Sequence, residues 1–190
     1  LSLFQLYLIK MLFNKKNKLI IKTATIIYKK IIIQSRNKSF YEKLKVPDSL
    51  DGRFDLIVLH FFFINTVLNK YEDLEKKLSD EILNLMFKDF DYNLREMGVG
   101  DLSVKKKIYH MSEALAGRIK AYENAKENEK KNINKAIRRN IYGTIKNVDD
   151  NCINKMTKYF SDSINIIKKI NLLNINENDV IFLDLKNYFN

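Results

Sequence analysis

The chain has 190 residues, 46% of them apolar, which is enough for one domain with a real core and too apolar for a disordered polymer. A single cysteine, Cys152, and two histidines, His60 and His110, exclude an internal disulfide and a paired-Cys zinc site and leave little material for any metal. One proline and five glycines leave few places to break helices, and the net charge of +11 is unevenly spread.

Leu1 to Phe13 is apolar, with Lys10 near its end. It lacks a basic flank before the apolar part and a small-residue cleavage site after it, so it makes a poor signal peptide. Met11 offers an alternative start, in which case the first ten residues would be artefactual. From Lys10 to Lys45 eleven basic residues face one acid, Glu42, which leaves a charge of +1 for everything from Val46 onward. The excess positive charge therefore sits on an N-terminal arm. Lys15, Lys16, Lys18, Lys22, Lys29 and Lys30 are candidates to meet anionic lipid or a ribosomal phosphate backbone. A solvated helix in a lysine-biased composition is the plainer reading of the same residues.

Leu19 to Arg36 reads as a first helix, because Ile20, Ala24, Ile27 and Ile31 keep a spacing of three to four residues. Lys38 to Leu44 reads as a connector of about one turn, with Phe40 and Tyr41 packing inward. After the lone Pro47, Asp51 is placed to cap a helix running to about Asn69. That helix is apolar on nearly every side, so it is either buried all round or presented to another apolar body. Its run from Leu56 to Ile64 is nine residues and includes His60, too short and too punctuated to span a bilayer.

A further helix spans about Glu72 to Met97 on the repeat Leu83, Phe87, Phe90, Leu94, Met97, and Gly98-Val99-Gly100 ends it. Asp101 or Ser103 caps the next, where Val104, Ile108, Met111, Leu115, Ile119 and Tyr122 repeat. The polar stretch Glu123 to Lys131 leads to a helix across Ile133, Ile137 and Ile141. Another follows over Val148 to Ile170, with Asp149 or Asp150 near its start. Val180 to Phe189 fits a strand or a docked helix equally well. The organisation expected is an all-α, single-domain bundle of about six helices. Residues 1–18 form a basic arm, 19–170 the helical body, and 171–190 a tail that is docked or mobile.

Several phrases carry a resemblance. They are Gln34-Ser35-Arg36, Phe40-Tyr41, Val46-Pro47-Asp48-Ser49-Leu50-Asp51-Gly52-Arg53-Phe54-Asp55 and Leu59-His60. Then come Phe87-Lys88-Asp89-Phe90-Asp91, Asn93-Leu94-Arg95-Glu96-Met97-Gly98-Val99-Gly100-Asp101-Leu102, Gly117-Arg118, Ala121-Tyr122 and Arg139-Asn140-Ile141-Tyr142. Together they cover about residues 25 to 145, and in this order the chain resembles the ubiquinol–cytochrome c chaperone family. Lys45 stands where that family usually has glycine, and Ala116 where it often has an aromatic residue. After about Asn147 no family phrase is recognisable.

The resemblance implies a helical assembly chaperone for the cytochrome bc1 complex, and no enzyme and no cofactor. It implies binding of newly made cytochrome b, or other bc1 subunits, before haem insertion. Work beside a second assembly factor and the ribosome is implied as well. The place implied is the cytoplasmic side of a bacterial inner membrane, or the matrix side of the mitochondrial one, with peripheral attachment to anionic lipid.

The Leu56–Ile64 region and the Phe87–Met97 face are the candidate apolar surfaces. Asp51, Arg53, Phe54, Asp55, His60, Phe61, Phe62, Asn93, Arg95, Glu96, Asp101 and Arg118 are the candidate client-binding or docking residues. For Asp55, His60, Arg95, Glu96 and Asp101, a buried or half-buried network that fixes helix docking is favoured over direct client contact. Arg53 and His60 share a helical face, while Asp55 lies about 140° from His60. For His60, a core histidine donating to a carbonyl is favoured over a ligand. Met86, Met97 and Met111 offer an adaptable surface, with core filling the plainer role.

Two other classes compete. Catalysis would need His60 with Asp55 or Glu96, and no Ser or Cys has a motif around it. A ribosome- or RNA-binding protein without a client-holding role would explain the basic arm, but the chain shows no helix-turn-helix, zinc or RNP pattern, and DNA is not an expected partner.

Overall fold

The computed structural model describes residues 3–69, 73–126 and 130–185, with side chains described for 15–69, 73–126 and 132–185. The helices are α1 (Leu3–Ser35), the single turn α2 (Lys38–Glu42), α3 (Leu50–Leu68), α4 (Leu74–Glu96), α5 (Asp101–Lys126), α6 (Lys130–Ile141) and α7 (Asp150–Ile167). A 3-10 turn, Leu172–Asn174, follows. Six long helices and no strand among the described residues make the domain all-α.

The axis of the bundle is α3, which touches α1, α4, α5, α6 and α7. It is hydrophobic all round because it is covered nearly all round. From Leu56 to Ile64 every residue but the half-buried Ile57 is buried, and Phe61, Phe62 and Phe63 are at most 2% exposed. Phe62 stacks on Phe160 of α7, with ring centroids 5.6 Å apart, and lies beside Tyr122 of α5. Burial of each such ring stabilises the fold by about 1.5–3 kcal/mol.

The sequence before α3 is shaped by a side-chain cap, one close backbone approach and one left-handed residue. The cap is Ser49, not Asp51: its Oγ accepts the Gly52 amide at 3.2 Å from an extended backbone at φ −125°. Asp51 instead lies within the first turn, where its charge favours the positive helix end. The Pro47 carbonyl crosses so near Gly52 that a Cβ there would meet its oxygen at 2.0 Å, so this position requires glycine. Lys45 holds φ 57°, a left-handed conformation that glycine adopts without steric cost. That geometry explains why a glycine in the related phrase suits this turn.

In α1 the expected stripe Ile20, Ala24, Ile27, Ile31 is buried, and the helix runs unbroken from Leu3 across the arm–body division. The arm is thus marked by its charge and not by a break in the backbone. Gly98, at φ 79°, closes α4. The amide of Val99 donates to the Leu94 carbonyl and that of Gly98 to the Arg95 carbonyl, the paired bonds of a Schellman ending. The best-buried line of α4 is Leu78, Ile82, Met86 and Phe90, one step round from the repeat read in the sequence. Leu83 and Phe87 are half-buried and Met97 is 55% exposed, because α5 covers that side only in part. α5 opens directly on Asp101, as its first residue. In α7 the cap is Asp149, whose carboxylate accepts the Asn151 amide.

The segment after α7 packs against the body up to residue 185 through Leu172, Ile175, Ile181, Phe182 and Leu185. The Lys30 ammonium donates to the carbonyls of Glu177 and Asp179, and Gln34 to that of Leu183. Residues 180–184 form neither the strand nor the helix weighed for them, and the remainder of that stretch to Phe189 lies largely outside the described residues.

Candidate functional site

The helical core leaves one end of α3 incompletely covered. The apolar stripe of α5 is fully buried only at its ends, at Val104 and Tyr122, while Ile108, Met111, Leu115 and Ile119 are half-buried. Beneath that stretch, Phe54 and Val58 of α3 and Met86 and Phe90 of α4 form a small core of their own, apart from the main one. Two adjoining grooves, of about 170 and 320 Å³, open over it and share Leu50, Phe54 and Met111. Arg36, Tyr41, Arg53, Asp89, Phe90, Asn93 and Met97 are among the others that line the first, and Asp51, Leu94, Lys107, His110, Ala114 and Arg118 complete the second. The result is a continuous apolar trough. Its rim presents Leu50 at 50% and Met97 at 55% exposure.

Phe54 forms the floor of this trough and Arg118 lies over it, its guanidinium carbon 5.1 Å from the ring centroid. Arg118 Nε also sits 2.6 Å from Asp55 Oδ1, an ion pair short of hydrogen-bond alignment. Burial pushes the Asp55 carboxyl up to about 6, with Arg118 opposing the shift. Behind the pair, Tyr122 and Asn140 face each other, both buried. Burial, helped by the Asp55 charge, raises the Tyr122 hydroxyl well above its ordinary value. Phe54-Asp55, Gly117-Arg118, Ala121-Tyr122 and Arg139-Asn140, scattered over three helices, therefore meet at one place.

Around the trough, Asp89 accepts the Tyr28 hydroxyl at 2.6 Å and the Asn93 amide at 2.9 Å, which ties α1 to α4. Arg95 pairs with Asp91 at 2.6 Å and with Asp101, fastening the α4–α5 corner at the surface. Arg53 pairs with Asp48 at 2.7 Å and is exposed, and Glu96 is exposed near the end of α4.

His60 belongs elsewhere. It is fully buried two turns further along α3, with Phe40, Phe63 and Phe182 edge-on around it. Its Nδ1 lies 2.7 Å from the Leu56 carbonyl and 2.9 Å from Ser35 Oγ, and its Nε2 lies 2.8 Å from the Tyr159 hydroxyl. A carbonyl only accepts, so Nδ1 carries the proton and Tyr159 donates to Nε2. Gln34 in turn donates to Tyr159. Burial drives the His60 pKa down to about 3, so the ring is neutral. This is the core histidine expected from the sequence.

The residues read as a single polar network thus fall into three separate sets: Asp55 with Arg118, His60 with Tyr159, and Arg95 with Asp91 and Asp101. Arg53 and His60 share an angular face, but one is solvated at the helix start and the other sealed at its middle. Phe61 and Phe62 are in the core and do not reach the trough. Leu50, Tyr28, Asp89 and Lys107 line or brace the site and are not among the residues the sequence reading selects, while Met111, weighed there as adaptable surface or core filling, lines both grooves. Leu50 and Asp89 stand inside the family phrases, so their signal was on the page.

On α1, Lys15, Lys18, Lys22 and Lys29, and Arg36 just past its end, recur at three- to seven-residue steps and are all exposed, with Lys16 beside them. Lys30 faces the tail instead. No helix among the described residues is long and apolar enough to cross a membrane.

The bundle, with its aromatic axis and a half-covered trough at one end, is a single all-α helical domain. A model of the ubiquinol–cytochrome c chaperone family matches residues 42–179, and the chain belongs to that family. The match extends past Asn147, so most of the stretch in which no phrase was recognisable lies within the family's span. The crystal structure of the Cbp3 homolog from Brucella abortus is similar, at 27% identity and a TM-score of 0.79 over 94% of this chain and 98% of that one. Comparison with curated proteins finds no significant match.

Proposed function

We propose that this protein is an assembly chaperone for the cytochrome bc1 complex, holding newly made cytochrome b in the α3–α4–α5 trough before haem insertion and subunit assembly. One observation carries the reading. The two long family phrases, Val46–Asp55 and Asn93–Leu102, supply facing parts of one apolar trough through Leu50, Phe54, Asn93, Leu94 and Met97. A chaperone for an apolar membrane subunit needs such a surface on a body that stays folded without its client.

The exposed basic stripe of α1 suits attachment to anionic lipid or to the ribosome that makes the client, on the cytoplasmic side of a bacterial inner membrane or the matrix side of a mitochondrial one. A second assembly factor is a further partner of this reading. The test is a pull-down from respiring cells with and without a translation inhibitor. Cytochrome b is expected in the first and absent from the second. Salt-sensitive capture of naked RNA, unchanged when Leu50 and Met97 become Asp, would instead favour a basic RNA-binding protein with no client.

A further inference from the structure

The trough is apolar along its floor, but its charged rim is unbalanced. Arg36, Arg53, Lys107 and Arg118 line it against Asp51 and Asp89. Most of these charges are already engaged. Arg53 pairs with Asp48 and Arg118 with Asp55, and Asp89 takes hydrogen bonds from Tyr28 and Asn93. Arg36, Lys107 and Asp51 remain, all exposed and none in an ion pair among the described residues; Arg36 stands in the first groove, Lys107 and Asp51 in the second, so the unpaired rim charge is two cations against one acid. Between them lie Leu50, Phe54 and Met111, common to both grooves, with Met97 at the rim.

We propose that the trough selects an apolar helical segment whose anchors are flanked by carboxylates, with Arg36 and Lys107 receiving the acids. This rests on the trough being the client-binding surface. A helix laid in a groove reads its occupant at two levels. Apolar anchors on one face supply the affinity, and charges beside them set orientation and exclude wrong segments. Met97 and Met111, unbranched and polarizable, accommodate different anchor shapes, so discrimination falls to the two free cations. A segment flanked by lysines would place like charge against Arg36 and Lys107 and be rejected. The chaperone would thereby distinguish among equally apolar helices by the sign of their flanks.

The experiment uses three fluorescent helical peptides with one shared Leu/Ala face, flanked by Glu, Gln or Lys, titrated into the full chain at low ionic strength. The Glu peptide is expected to bind tightest, the Gln peptide about tenfold more weakly, and the Lys peptide more weakly again, with the differences shrinking as salt rises. The double variant R36E/K107E should reverse the Glu–Lys order, with the Gln peptide binding between the two. Both residues are exposed, and an unchanged thermal midpoint verifies that the variant is folded. Equal affinity for all three peptides overturns the charge selection alone, provided that Leu50→Asp weakens all of them. Failure of every peptide to bind overturns the trough reading together with it. Displacement of the Glu peptide by anionic vesicles, insensitive to Leu50→Asp, would make the cations a lipid site and also overturn the proposal.

Discussion

The two ends of α3 are made of much the same material and do opposite things. From Leu56 to Ile64 the helix is enclosed by α1, α5, α6 and α7, and its rings interlock with Tyr122, Tyr159 and Phe160. Around Leu50 the enclosure is incomplete, although Phe54 beneath it is buried, because the middle of α5 stands only half against the body. Hydrophobicity alone therefore does not distinguish a sealed stretch from an open one. What distinguishes them is apolar area left without a cover, and that depends on how the neighbouring helices lie.

The contrast can be broken from the sealed end first. Phe62→Ala should cost about 3–5 kcal/mol in urea unfolding, since neighbours in a packed aromatic cluster collapse only in part. Tyr159→Phe keeps the ring but leaves buried His60 Nε2 without its donor, and about 1–3 kcal/mol should be lost. A loss well below this range in both variants would mean that the α3–α7 contact is loose.

The next test lies where the two ends adjoin. The folded pKa of Asp55 is raised from 3.8 to about 6 by burial. Its contribution to stability is therefore fully present below about 3.8 and lost as pH rises through about 6. Wild-type protein should lose stability over that window more steeply than Asp55→Asn, measured by denaturant unfolding at a series of pH values. Parallel profiles would place the carboxylate in water. The smallest effect is at the turn before α3, where Lys45→Gly should raise stability by about 0.5–1 kcal/mol by relieving the left-handed lysine.

Much of this architecture was readable in the residues. The buried line of α1, the glycine ending of α4 and the all-round burial of α3 each follow from spacing and turn chemistry that a linear chain displays. The cap moved from Asp51 to Ser49 because the Pro47 carbonyl, crossing over Gly52, fixes where the first turn begins. The site was legible only in part. Phe54, Asp55 and Arg118 were selected and do meet, but no spacing rule shows that α5 leaves Leu50 half exposed beside them. His60 and Arg95 looked like members of one network because both are polar residues in recognisable phrases. Their separation is a matter of helix packing, which periodicity does not encode.

The central claim is that the half-covered end of α3 is the surface that meets the client. A photo-crosslinking side chain placed at Leu50 or Met97, in cells making respiratory complexes, tests it most directly. The account predicts a crosslink to newly made cytochrome b from either position, lost within minutes of stopping translation, and none from an equivalent probe at exposed Lys76 on the far part of α4. Crosslinks of equal yield from all three positions, or from the α1 lysines alone, would contradict it.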